Sequence, residues 1–137
     1  GAKNKTFSNT ELNKKEFNEN IIFTGYLNDE ELVELYNKAE LFIYASLFEG
    51  FGIPPLEAQA CGCSCIVSNT TSLPEVYQDS VEYCNPFSVK NIRNTIEKLL
   101  IDTEKRGQLK KKGFENVKRF SWNTSTNEFI KILEDII

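Results

Sequence analysis

Histidine and methionine are both absent from the 137-residue chain, and tryptophan occurs once. Without histidine there is no Ser-His-Asp or Cys-His nucleophile pair and no imidazole ligand for zinc or copper. Chemistry is left to carboxylates, hydroxyls and the backbone. Without methionine, Gly1 is not a natural translation start, so the chain reads as a processed product, a tagged chain or a fragment. Basic residues are missing from a long central stretch. No Lys or Arg falls between Ala39 and Val89, where Glu40, Glu49, Glu57, Glu75, Asp79 and Glu82 all lie. No apolar run approaches the ~20 residues that a membrane span needs, and no signal-peptide pattern opens the sequence.

What is present suits one compact domain. Apolar residues make up 40%, charged residues 26%, and the net charge is −4, which supports a buried core and argues against disorder. The four cysteines are Cys61, Cys63, Cys65 and Cys84. The strict alternation of the first three suits a strand and its approach, not the pair spacing of a tetrahedral zinc site. They are expected to be packed free thiols without a metal, which places the protein in a reducing, cytoplasmic setting.

Residues 21–25, Ile-Ile-Phe-Thr-Gly, predict a buried strand, and Asn28-Asp29-Glu30-Glu31 is a capping-box pattern that opens a helix carrying Leu32, Leu35, Tyr36 and Ala39 on one face. Leu41-Phe42-Ile43-Tyr44 predicts a second strand, residues 46–53 a loop, and Pro54-Pro55 the first turn of a helix that Gly62 stops. Strands at 65–67 and 81–84, a short helix at 73–76, and helices from Ser88 onward complete the pattern. Short buried strands alternating with helices predict an α/β fold with a Rossmann-like parallel sheet covered on both faces. Such sheets bind ligands at the carboxyl ends of their strands, where the loop 46–53 lies.

That loop carries the candidate chemistry. Glu49 is followed by Gly50-Phe51-Gly52, and Glu57 sits in the helix behind Pro54-Pro55. The glycines allow close backbone approach. Because neither proline has an amide hydrogen, Leu56, Glu57 and Ala58 are the candidates to present free N–H groups at the helix start, suited to an anion such as a diphosphate. The flanking carboxylates would accept hydrogen bonds from hydroxyl groups. A phosphate flanked by polyols describes a sugar nucleotide. On spacing alone, a surface Glu57 and a loop-capping Glu49 are the commoner reading, because lone glycine motifs are weak evidence.

The run from Glu49 through Pro54-Pro55-Leu56-Glu57-Ala58, with Ala60-Cys61-Gly62, residues 68–76, Phe23-Thr24-Gly25-Tyr26 and Phe120-Ser121-Trp122, resembles the signature of the group 1 (family 4) retaining glycosyltransferases. The resemblance covers about residues 21–135. It implies part of the carboxy-terminal, donor-binding lobe of a two-lobed fold. Residues 1–20 would be a polar remnant of the truncated lobe, and 21–137 the nucleotide-sugar donor-binding domain. Glu49 would be the catalytic carboxylate at the donor sugar and Glu57 would bind the ribose. Gly50, Phe51, Gly52, Ile53 and Leu56 would line the sugar and diphosphate, with Tyr26 and Leu27 bordering the base. The implied activity is transfer of a sugar from a nucleotide-diphosphate sugar to an acceptor with retention, without cofactor or metal. A nucleotide-sugar binding module without transfer is the alternative, and a flavodoxin-like signalling domain the third. Ser64, where the family commonly has Pro, is a departure.

The family's lobe begins with two strands ahead of residue 21, the first unit leading to an Arg and a Lys that neutralise the diphosphate. Gly1-Ala2 resembles the tail of the second strand, so both basic residues are expected to be missing, and this chain alone to bind nucleotide weakly and be inactive. Strand order 3-2-1-4-5-6 would put the missing strands between residues 21–23 and 41–44. The exposed edges would be met by strands from a separate chain, by self-association, or by direct pairing of 21–23 with 41–44 in a four-stranded sheet, and the missing amino-terminal lobe of the same protein is a further expected partner. Lys105, Arg106, Lys110, Lys111, Lys112, Lys118 and Arg119 are read as a solvated helix face, not a nucleic-acid site. Trp122 is expected to anchor the last helix in the core, and the full-length protein to be membrane-peripheral.

Overall fold

A computed structural model describes residues 20–136. In chain order the elements are α1 (Asp29–Lys38), β1 (Phe42–Tyr44), α2 (Pro54–Ala60), β2 (Cys65–Ser68), α3 (Leu73–Tyr77), β3 (Glu82–Cys84), α4 (Val89–Ile101), α5 (Thr103–Val117) and α6 (Trp122–Glu134). The capping box at α1 forms as expected. Asn28 accepts the Glu31 amide at 2.9 Å, and the Glu31 carboxylate accepts the Asn28 amide at 2.9 Å.

Among the described residues the strands form one parallel sheet in the order β1-β2-β3, with Tyr44 opposite Val67 and Val67 opposite Tyr83. Every residue of β2 is buried, so the alternation of its side chains feeds two layers. Cys65 and Val67 join Tyr36, Ala58, Leu73, Val76 and Tyr77 on the face covered by α1, α2 and α3. Ile66 joins Cys84, Leu99 and Leu109 beneath α4 and α5. The cysteines are free thiols, three of them buried. Burial pushes Cys63, Cys65 and Cys84 up, which keeps them protonated and inert.

Two expectations are corrected here. Residues 21–25 form no strand, and Ile21, Ile22 and Phe23 are exposed. They do not pair with β1, so there is no four-stranded sheet among the described residues. A buried strand needs a ladder beside it, and among the described residues β1 pairs with β2 alone. The expectations for Gly1-Ala2 and the segment 1–20 concern residues that, but for Asn20, lie outside those described. Trp122, expected in the core, is 83% exposed. Ser121 takes an extended backbone and accepts the Thr124 amide as the α6 cap, and it is the preceding Phe120 that packs on the core. The described residues of α6 are all exposed.

The late basic run is more than a solvated face. Arg106 donates to the Leu99 carbonyl at 2.8 Å and faces Glu40 at 3.4 Å, while Lys112 meets Asp79 at 2.7 Å and Lys105 meets Glu82 at 3.7 Å. A buried amide network supplements these exposed pairs. Gln59, 1% exposed, donates to Ser80 Oγ at 2.8 Å and the Ser80 carbonyl at 3.2 Å, and accepts from Asn116 at 2.9 Å, tying α2 to α5. Gln59→Ala strands those partners and opens a void, so it is expected to cost about 2–4 kcal/mol. A denaturant midpoint unchanged from the parent would contradict this account of the α2–α5 join.

Candidate functional site

The chain leaves β1 at Tyr44 and crosses to α2 through residues 45–53, at the carboxyl end of the sheet. The loop after β2 clamps this crossing. Ser68 Oγ donates to the Ser46 carbonyl at 2.6 Å, the Glu49 amide donates to Thr71 Oγ1 at 3.2 Å, and Ser72 Oγ donates to the Glu49 carbonyl at 3.0 Å. Both backbone groups of Glu49 are therefore held. Thr71 has φ +53, an uncommon, strained backbone for a β-branched residue of the kind that marks functional loops.

Each glutamate is held by a tyrosine. Tyr44 donates its hydroxyl to Glu49 Oε1 at 2.6 Å, and Tyr36 donates to Glu57 Oε2 at 3.4 Å. The two phenols belong to one aromatic column, with Tyr36 edge-on to Phe42 at 5.3 Å and Phe42 stacked with Tyr44 at 6.1 Å. Burial, followed by the charge and hydrogen bond of Glu57, pushes the Tyr36 phenol up to about 12. Burial, followed by the hydrogen bond and charge of Glu49, does the same to Tyr44. Both stay protonated donors. Neither glutamate has an ion pair among the described residues. Arg119, the cation adjoining Phe120, is taken up by the Val76 carbonyl and Asn116.

Gly52 makes the turn into α2. Its φ is +84, and a Cβ there would stand 2.6 Å from Leu73 Cδ2, so only glycine fits without strain. Tyr77 donates its hydroxyl to the Gly52 carbonyl and draws the loop onto α3. The supply of free amides differs from expectation. Ile53 is already helical, and its carbonyl accepts from Leu56 at 2.8 Å and Glu57 at 3.3 Å; Ala58 is fully buried. The amides of Gly50, Phe51, Gly52 and Ile53, in contrast, are hydrogen-bonded to no described residue. The available donors thus sit one turn before the predicted ones.

The other expected contact residues divide between two grooves, one lined in part by Pro54 and the other by Ile53. Tyr26 and Leu27 share a groove of about 590 Å³ with Tyr36, Phe42 and Pro54. Phe51, Ile53 and Leu56 share one of about 420 Å³ with Phe120, Ser121 and Trp122, and Phe51 lies edge-on to Phe120 at 5.4 Å. Both volumes suit small-molecule sites. Glu49 is half-buried and Glu57 exposed, and neither they nor Gly50 and Gly52 line these grooves. Among the described residues there is no cluster of three metal-ligating side chains. Sequence reasoning missed Tyr36, Tyr44, Thr71 and Ser72. The usable signal was two tyrosines inside apolar runs, since a buried phenol needs a hydrogen-bond partner.

These phenols give stability an alkaline limit. A tyrosine near 10 when unfolded and near 12 when folded stabilises fully below pH about 10, and its contribution is lost as pH rises through about 12. The thiols that burial pushes up act in the same sense. Denaturant melts are expected to show stability falling steadily from pH 9.5 to 11.5, with the slope reduced in the Tyr36→Phe/Tyr44→Phe double variant; an unreduced slope would count against the two phenols as its source.

A family model described as glycosyl transferases group 1 matches residues 1–116. The chain is 46% identical over 102 residues to the serotype-specific mannosyltransferase WbdA of Escherichia coli, a match covering 74% of this chain and 12% of that protein. It is 41% identical over 110 residues to the O-antigen chain mannosyltransferase B of Escherichia coli, covering 80% and 29%. Among solved structures, sucrose-phosphate synthase from Thermosynechococcus elongatus superposes with a TM-score of 0.74 at 25% identity, covering 84% of this chain and 30% of that one. The chain therefore spans 12–30% of the length of these relatives. No described helix is long and apolar enough to cross a membrane. With its parallel α/β layers and the Glu49 to Glu57 motif, the chain belongs to the group 1 glycosyl transferases and carries part of their carboxy-terminal lobe.

Proposed function

We propose that this chain is the donor-binding part of a retaining glycosyltransferase that takes a sugar from a nucleoside-diphosphate sugar, and that the sugar is mannose destined for a surface polysaccharide. The observation that carries the donor site is local. Two tyrosine-held carboxylates, Glu49 and Glu57, flank four successive amides that donate to no described residue. Unpaired amides in a glycine turn suit phosphate oxygens, and carboxylate oxygens accept from sugar hydroxyls. Mannose is supported by two relatives that are named mannosyltransferases, and retention by the motif resemblance. Glu49 takes the sugar side and Glu57 the ribose side, with the Tyr26–Leu27 groove adjoining the base.

The isolated chain is proposed to be inactive and a weak nucleotide binder. With no Lys or Arg from Ala39 to Val89 and, among the described residues, none paired to either glutamate, a diphosphate brought beside these carboxylates meets repulsion of roughly 1 kcal/mol or more per close pair even when well solvated. The cations proposed to offset this are the Arg and Lys of the unit that opens the same lobe in the family.

The roles are tested in the full-length protein with GDP-mannose and GDP. Glu49→Ala is expected to lower GDP release from GDP-mannose about a hundredfold while leaving GDP affinity within about twofold, whereas Glu57→Ala raises the Kd for GDP about tenfold. Equal losses of GDP affinity with normal turnover would overturn these assignments. Sugar-nucleotide binding without any transfer would favour a binding module instead.

A further inference from the structure

A carboxylate that is to accept from one particular sugar hydroxyl has to keep one orientation, and a glutamate side chain in a glycine-flanked loop loses considerable rotamer freedom in doing so. Glu49 has its backbone clamped by Thr71 and Ser72, but that does not fix its side chain. Among the described residues a single side chain reaches the carboxylate. Tyr44 donates to Oε1 at 2.6 Å, a short and well-made O–H···O bond.

Tyr44 is itself rigidly placed. It is the last residue of β1, in register with Val67 of the fully buried β2. Its ring stacks on Phe42 at 6.1 Å and passes the Gly52 position, where a Cβ would lie 3.6 Å from its Cε1. By contrast, the Tyr36–Glu57 contact is 3.4 Å long and Glu57 is exposed, so the two carboxylates are not held alike.

We infer that Tyr44 is a positioning residue of the donor-sugar site: its phenol occupies Oε1 of Glu49 and presents Oε2, which no described donor meets, to a hydroxyl of the sugar. This rests on the reading of Glu49 as the sugar-facing carboxylate. A neutral phenol orients the carboxylate without cancelling its charge, which a Lys or Arg in the same place would do. Tyr44 lies outside the Glu49 to Glu57 motif and inside an apolar strand, so nothing in the spacing of charged residues points to it.

The test uses Tyr44→Phe in the full-length protein, a change that removes one oxygen and keeps the ring. The Kd for GDP-mannose is expected to rise about tenfold and GDP release to fall ten- to a hundredfold, with the Kd for GDP held within about twofold and the melting temperature lowered by no more than a few degrees. In a Glu49→Ala background the same change is expected to weaken GDP-mannose binding by no more than about twofold, because its effect runs through that carboxylate. A purely structural tyrosine would instead weaken GDP and GDP-mannose together and do so in either background; that result, or normal GDP-mannose binding by Tyr44→Phe, would overturn the inference alone. Failure of the parent protein to bind either GDP-mannose or UDP-glucose more tightly than GDP or UDP would overturn the donor-sugar reading, and the role of Tyr44 with it.

Discussion

Two carboxylates of like charge stand eight positions apart in the sequence, and the partners that hold them are phenols, not cations. That pairing governs the rest of the site. A salt bridge to either glutamate would neutralise the charge and occupy the oxygens that a polyol needs. A tyrosine hydroxyl gives one hydrogen bond, keeps the acceptor capacity of the remaining oxygens, and rests on a column of rings that runs from α1 through β1. The proposed hydroxyl-binding site rests on this, with amides that donate to no described residue between its two acidic ends.

The fold exists to bring those parts to one edge. The buried β2 sets the register of β1, and the loop after β2 returns three hydroxyls, from Ser68, Thr71 and Ser72, to the crossing that follows β1. Parallel strands force both loops to the same end of the sheet. Tyr77 of α3 then fixes the Gly52 carbonyl. The α2–α5 amide network keeps the far end of the short helix in place, so the loop is braced from both sides. This arrangement lends precision to a segment that has only seven helical residues behind it.

Much of this was legible in the residues. The Asn28 capping box, the apolar runs that became β1 and β2, the Pro54-Pro55 helix start and the glycine at Gly52 each carry a local cause, and each appears where that cause puts it. Legibility failed where the cause lies elsewhere in space. Residues 21–25 have strand composition, but composition cannot supply a neighbouring ladder. Trp122 has the size of a core residue, yet the cap at Ser121 turns it out to solvent. The free amides belong to Gly50 through Ile53 because Ile53 enters the helix early, a backbone detail that two prolines conceal. Tyr36 and Tyr44 passed for apolar periodicity, and their hydroxyls found the glutamates only once α1 and β1 were packed together.

On the proposed reading, the segment supplies acceptors for hydroxyls and amides for phosphate, and among the described residues no cation pairs with either glutamate. The most direct measurement is a crystal structure of the full-length protein with GDP-mannose. The account predicts diphosphate oxygens within about 3.2 Å of amides in the Gly50 to Ile53 turn, ribose hydroxyls on Glu57, and a sugar hydroxyl on the Glu49 oxygen not taken by Tyr44. A diphosphate seated elsewhere, with those amides facing solvent and both carboxylates remote from the ligand, would contradict it.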